Sequence, residues 1–317
     1  MDQSERTLNI DAPEAVVHAA RDGNAEAVRE WLATGGSPDA TGQLFPLGSE
    51  PLLCFACMSC RPSSSSIVEI LCAAGASTDG VGDRGLTSLN FAAMHGAVDS
   101  VRVLLRYGAS LNGSMYLLPL HWAVEANNWR GYSDPWSRAR ARAAASIGHQ
   151  GIVRLLLKHG AAVNAITTTT KLTPLMFAAK WSGFVSLGVV RELLAGGANL
   201  DMVDLHGRNA EAFARLQLQK EIYTGEGIPE HMRECRRPGA VEAFLALLAA
   251  VRAAGSWKRY VNVPRIDVIV LQRLCAAGRA SPPPALARLF PTSTKSPPLP
   301  KEMVWLILKF WRTDRDP

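Results

Sequence analysis

Residues 87–112 read TSLNFAAMHGAVDSVRVLLRYGASLN. Two short helical patterns are joined here at Gly96 and closed at Gly108. A Thr at the start can cap the first helix by accepting from a backbone N–H. The pair Ala92-Ala93 leaves little side chain between neighbours, so a second helix can approach closely. The pair Leu104-Leu105 fills the space between layers, and Gly108 can take the left-handed conformation that stops a helix.

The same frame occurs four more times: AVVHAARDGNAEAVREWLATGGSPD (15–39), LLCFACMSC (52–60) with IVEILCAAGASTD (67–79), LPLHWAVEA (118–126) with GHQGIVRLLLKHGAAVN (148–164), and TPLMFAAKW (173–181) with VVRELLAGGANLD (189–201). The closing glycines are Gly35, Gly75, Gly108, Gly160 and Gly197, at intervals of 40, 33, 52 and 37. One interval is 33, and the others read as 33 plus insertions. Each unit is too thin to bury its own apolar face, so stacking must supply the core. A degraded sixth copy begins at Asp204-Leu205-His206-Gly207-Arg208-Asn209-Ala210 and resumes over 241–251, with a polar insertion around 217–238.

These segments resemble ankyrin repeats, and the match is closest at Thr173-Pro174-Leu175-Met176-Phe177-Ala178-Ala179 and from Gly96 to Ala109. The resemblance implies an all-α ankyrin-repeat solenoid of five repeats plus a degenerate sixth. It divides the chain into an N-terminal tail over 1–12, a repeat domain over 13–254 and a basic helical C-terminal module over 255–317. It also implies non-catalytic protein binding along the concave face. The variable positions around the first helix and preceding turn, which that family uses for contacts, are here Arg21, Asp22, Met58, Arg84, Leu86, Met94, His95, Lys180 and Trp181.

Composition agrees with helix stacking: hydrophobic residues reach 48% while aromatics stay at 7%, so Ala, Leu and Val dominate. No apolar run approaches the 18 residues of a membrane span; AFLALLAAV (243–251) and MVWLIL (303–308) are the longest candidates. The polar start MDQSERTLNI lacks the apolar stretch of a secretory signal. A cytoplasmic or nuclear location and reduced thiols for the six cysteines are therefore expected. The net charge of +6 is uneven: residues 255–317 hold 11 Lys/Arg against 4 Asp/Glu, and the rest hold 23 against 24.

Cys54, Cys57 and Cys60 stand at C-x-x-C-x-x-C spacing, with Cys72 further on. In the repeat frame CFACMSC lies over Asn90–Gly96 and Cys72 over Leu105. Two of the four thus occupy positions that call for small or apolar side chains, which free cysteine serves well. Structural cysteine is the expected role, and no metal or cofactor is expected. Gly80-Val81-Gly82-Asp83-Arg84-Gly85 fits G-x-G-x-x-G, but a helix ends before it and a repeat turn follows, so it reads as an inter-repeat loop. Phe55, Phe91, Trp122 and Phe177, with His18 in the first copy, recur at one slot and read as core. His121 is expected to join local hydrogen bonds. The insertion 125–147 carries Trp129, Tyr132 and Trp136 and then Arg138, Arg140 and Arg142, residue types that carry binding energy at interfaces. No P-loop, G-x-S-x-G or H-E-x-x-H occurs, so no catalytic residue is expected.

Past Ala254 the repeat frame stops. Leu271-Gln272-Arg273-Leu274-Cys275 and Pro298-Leu299-Pro300 are similar to the two motifs of a SOCS box. That resemblance implies that Leu271 and Cys275 meet elongin and that Leu299 and Pro300 face a cullin. Arg279 and Pro297 stand where that family carries aliphatic residues. Two other readings of the tail stay open: helices that only cap the repeat stack of a plain scaffold or inhibitor, and a basic contact to nucleic acid or an anionic membrane. Scattered charge disfavours the last.

Overall fold

The computed structural model describes residues 11–44, 48–58, 62–112, 118–125, 149–182, 186–223, 239–262 and 271. Two compact units divide the chain, Met1–Leu245 and Ala246–Pro317.

The first unit is built from successive helix pairs. They are α1 (Glu14–Asp22) with α2 (Ala25–Ala33), α3 (Leu52–Cys57) with α4 (Pro62–Ala73), and α5 (Ser88–His95) with α6 (Val98–Arg106). Then come α7 (Pro119–Glu125) with α8 (helical over 149–158), α9 (Pro174–Lys180) with α10 (Leu187–Ala195), and the longer α11 (Ala210–Tyr223). The first helices pack in a row, α1 on α3, α3 on α5, α5 on α7, α7 on α9 and α9 on α11. A second row runs from α2 to α4 to α6. It continues between α8 and α10, where Gln150 Nε2 and Arg154 Nε donate to Glu192 Oε1 at 3.1 and 3.0 Å.

Local chemistry sets each helix boundary. Thr87 Oγ1 accepts from Asn90 N at 3.4 Å and Thr173 Oγ1 from Met176 N at 3.3 Å. Pro174 occupies the first turn of α9, where its missing N–H leaves no bond unmade. Gly35, Gly75, Gly108, Gly160 and Gly197 all have φ between +83° and +95°. Each carries the paired bonds of a Schellman stop: Gly75 N donates to Cys72 O and Ala76 N to Leu71 O, at 3.1 and 2.9 Å, and the other four repeat the pattern.

Adjacent turns are stitched by one recurring bond. The residue four beyond the closing glycine accepts from the residue two beyond the next one. Asp39 Oδ1 takes Ser77 N at 2.6 Å, Asp79 Oδ1 takes Ser110 N at 2.9 Å, and Asn164 Oδ1 takes Asn199 N at 2.8 Å.

The all-α expectation needs one correction. β1 (Thr41–Leu44) and β2 (Gly48–Pro51) form an antiparallel hairpin pairing Thr41 with Pro51 and Leu44 with Gly48. The longer first interval supplies the extra chain. Gly42 packs under Val17, where a Cβ would collide with that side chain, and Ala12 N donates to Thr41 O at 2.6 Å. The polar insertion expected from 217 also starts later, because α11 continues to Tyr223.

The loop GVGDRG docks on this hairpin: Asp83 N donates to Ser49 O at 2.9 Å, and Ser49 N to Asp83 Oδ2 at 2.8 Å. A contrast between glycines follows. A Cβ at Gly75 would meet nothing within 4 Å, so Gly75→Ala bears only the left-handed strain and should cost about 1–2 kcal/mol. A Cβ at Gly82 would run into Ser49 O and the Glu50 backbone, so Gly82→Ala should cost more, about 2–3 kcal/mol. Urea unfolding of the two variants measures the difference; equal losses would show that the loop is not seated on β2.

In the second unit, a helix begun at Ala240 ends at Ala254, and residues 257–262 form another helix. Ser256 Oγ accepts from Arg259 N at 3.2 Å and so caps the second helix. Trp257 and Tyr260 place their ring centroids 5.5 Å apart, and Leu247, Leu248, Val251 and Val261 are buried.

Candidate functional site: loops and groove of the first unit

The expected contact residues separate into several groups. Arg21 and Asp22, at the end of α1, pair with each other at 2.9 Å. Met58, after α3, is half-buried. Arg84 is half-buried and lies 4.0 Å from Glu50 Oε1. Lys180 is exposed, its Nζ 5.6 Å from the Trp181 ring centroid and 6.0 Å from that of Phe177. Trp129, Tyr132 and Trp136 lie outside the described residues, as do Cys275, Leu299 and Pro300. Leu271 is helical and half-buried.

Two assignments are corrected by burial. Leu86 and Met94 are buried, so they pack the turn and the inner face of α5 rather than meet a partner. His95 is half-buried, with its Nε2 covered. Burial, then His149 and Arg84, hold the His95 imidazole down at about 4, so it stays neutral at physiological pH.

The cysteines behave as packing residues. Cys54, Cys57 and Cys72 are buried and free of disulfides, and Cys54 Sγ lies 3.4 Å from Ser88 Oγ. Burial pushes Cys54 up to about 12, Cys72 up to about 11, and Cys57 well above the ordinary thiol value. A protonated thiol is a poor nucleophile and a poor metal ligand. Cys60 lies outside the described residues. In the aromatic slot Phe55, Phe91 and Phe177 are buried, whereas Trp122 and His18 are only half-buried. The His121 Nε2–H donates to Leu172 O at 3.1 Å, tying α7 to the loop before α9.

The described residues also form a groove of about 440 Å³. It is lined by Thr170 and Leu172 before α9, Lys180 at its end, the turn residues Asp204, Leu205, His206 and Arg208, and Phe213, Leu216 and Gln217 of α11. The turn is built on one carboxylate. Asp204 Oδ1 accepts from His206 N and Arg208 N at 2.9 and 2.8 Å, and Oδ2 accepts from Arg208 Nε at 2.9 Å. Burial pushes the Asp204 carboxyl up, but the bonds from Arg208 and His206 outweigh it and hold the group below its usual range. The Arg208 guanidinium then stacks on Phe213 at 4.6 Å.

Sequence reading missed the exposed apolar side chains of this surface. Val81, Ile166 and Val203 are 52%, 47% and 51% exposed, and Leu205 and Leu216 are 57% and 40% exposed. The first three share a signal that was present in the sequence: each stands six residues beyond a closing glycine. The corresponding slot of the first copy is Thr41, which the hairpin takes up.

The family model described as "Ankyrin repeats (3 copies)" matches residues 53–130 and 139–214. No curated protein matches the chain. The chain therefore carries ankyrin repeats over those stretches, and the α1–α2 pair before them packs on α3 and α4 in the same two rows. Ankyrin repeats imply a protein–protein interaction module, generally a non-catalytic one, and no enzymatic family is matched.

Proposed function

We propose that this chain is a recognition subunit of five repeats and a degenerate sixth that holds a partner protein along its inter-repeat loops. The observation that carries this reading is the repeated slot. Val81, Ile166 and Val203 stay about half exposed at one register of the second, fourth and fifth turns, where the first and third copies carry Thr41 and Ser114. Exposed apolar side chains scattered singly need no explanation, but recurrence at a single register does. Arg84, Lys180 and Trp181 supply residue types suited to an interface.

For the tail we propose recruitment of elongin and a cullin through Leu271, Cys275, Leu299 and Pro300, which makes the chain a substrate receptor of a ubiquitin ligase. Support for this comes from the two sequence motifs and from the helical state of Leu271. A cytoplasmic or nuclear location goes with it. A tail that serves only as a cap, or that contacts nucleic acid or an anionic membrane, is the rival reading.

One experiment addresses both parts. The tagged full chain is expected to capture a set of proteins that Ile166→Asp/Val203→Asp loses without a change in melting temperature. Elongin and a cullin should be in the wild-type capture and absent from that of Leu271→Ala/Cys275→Ala. Identical captures for wild type and the loop variant would sink the recognition surface. Captures without elongin or cullin would sink the ligase role and leave the cap.

A further inference from the structure

The groove between the 170–172 loop, the Asp204 turn and α11 differs in charge from an ordinary apolar cleft. Its one carboxylate, Asp204, is already neutralised by Arg208. Lys180 on its rim has no carboxylate partner among the described residues, and its ammonium lies 6.0 and 5.6 Å from the Phe177 and Trp181 ring centroids. Lys171, between the lining residues Thr170 and Leu172, is exposed, and it too has no carboxylate partner among the described residues. With Asp204 and Arg208 cancelling, the described lining carries the net positive charge of Lys180.

Its floor is apolar. Leu172 and Phe213 are buried beneath, and Leu205 and Leu216 flank the opening with much of their surface in water. The groove falls within the size range of sites that enclose a small ligand, so it suits a short stretch of chain rather than a globular face. Its walls are preorganised: four bonds on Asp204 fix the turn, and Thr167 Oγ1 accepts from Leu172 N at 3.0 Å to fix the loop opposite. A fixed site gives up little conformational freedom on binding.

We infer that the groove takes an extended segment of the partner protein in which an acidic side chain stands next to an aliphatic one. The aliphatic group covers Leu205 and Leu216, and the carboxylate meets Lys180. This inference rests on the reading of the chain as a recognition subunit and names the chemistry of what is recognised.

The test is selection of a random displayed-peptide library on the immobilised full chain. An enriched peptide is then labelled and titrated by fluorescence anisotropy. The expected consensus pairs Asp or Glu with Leu, Ile, Val or Met. Lys180→Glu should weaken binding about tenfold or more, and it should remove the salt dependence that the wild type shows. Leu205→Ser should weaken it about fivefold to tenfold with the salt dependence kept. Lys158→Glu makes the same charge change on exposed α8 and should bind as the wild type does. Both groove side chains are exposed, so circular dichroism should show all variants folded. Absence of enrichment, a basic or uncharged consensus, or a peptide indifferent to both Lys180→Glu and Leu205→Ser would overturn the inference. In the last case the recognition reading survives, because the peptide has found another surface. The recognition reading fails separately, on unchanged captures by the loop variant.

Discussion

Phe91→Ala is expected to lower the unfolding free energy by about 3–5 kcal/mol. Phe91 is fully buried in α5, the helix that packs on α3, α6 and α7. The helix that carries this ring thus packs on the preceding pair as well as on the following one. Leu89, Ala92 and Ala93 around it are equally buried, so nothing nearby is free to collapse into the space. In a stack held only by neighbours, a weak middle also uncouples the two ends. Guanidinium titration followed by circular dichroism and by tryptophan fluorescence should therefore give coincident curves for the wild type. For Phe91→Ala the curves should separate, with Trp31 in α2 and Trp181 after α9 on opposite sides of the lesion. A loss below about 1 kcal/mol with coincident curves would mean that the helices are not held by stacking.

The second large effect is acid instability. Burial holds His95, His121 and His149 at about 4, against 6.5 for an exposed imidazole. The His149 Nε2–H donates to Met94 O at 3.3 Å, and the His121 Nε2–H to Leu172 O at 3.1 Å; these bonds favour the charged ring but do not offset the burial. The folded values are depressed, so the unfolded chain takes up protons first as the pH falls. Stability should be full above about 6.5 and decline between about 6.5 and 4, with on the order of 2–3 kcal/mol attached to each ring. Buried Glu50 runs the other way. Burial raises its carboxyl, so its contribution is full at low pH and declines as the pH rises through the raised value. Asp204, held low, loses its contribution only below the ordinary carboxylate range. The histidines should dominate between pH 7 and 5. Urea unfolding at pH 7, 6 and 5 is expected to show a steep decline that His121→Gln and His149→Gln each flatten. A flat profile would show that water reaches these rings in the folded state.

Much of this was legible in the chain, for a local reason. A Thr cap, a Pro in the first turn and a closing glycine act within a few residues. They therefore state in the sequence where α5, α6 and α9 begin and end. Cys57 and Cys72 were legible in the same way, since their positions in the repeat frame are packed positions. The contact residues were less so. Leu86 and Met94 sit at variable slots, yet the turn buries the first and the packing of α5 buries the second. Val81, Ile166 and Val203 were passed over because an aliphatic residue in a sequence does not announce which side of a turn it will occupy.

By itself the sequence determined the paired helices, their stops and the demand that each pair lean on the next, because these follow from backbone geometry and from apolar faces too large for one layer to hide. The hairpin 41–51, the inward turn of the three histidines and the positive groove on the Asp204 turn were decided only by tertiary structure. Each of them depends on which distant groups arrive as neighbours: Val17 over Gly42, Met94 O beside His149, and Lys180 across from Leu205.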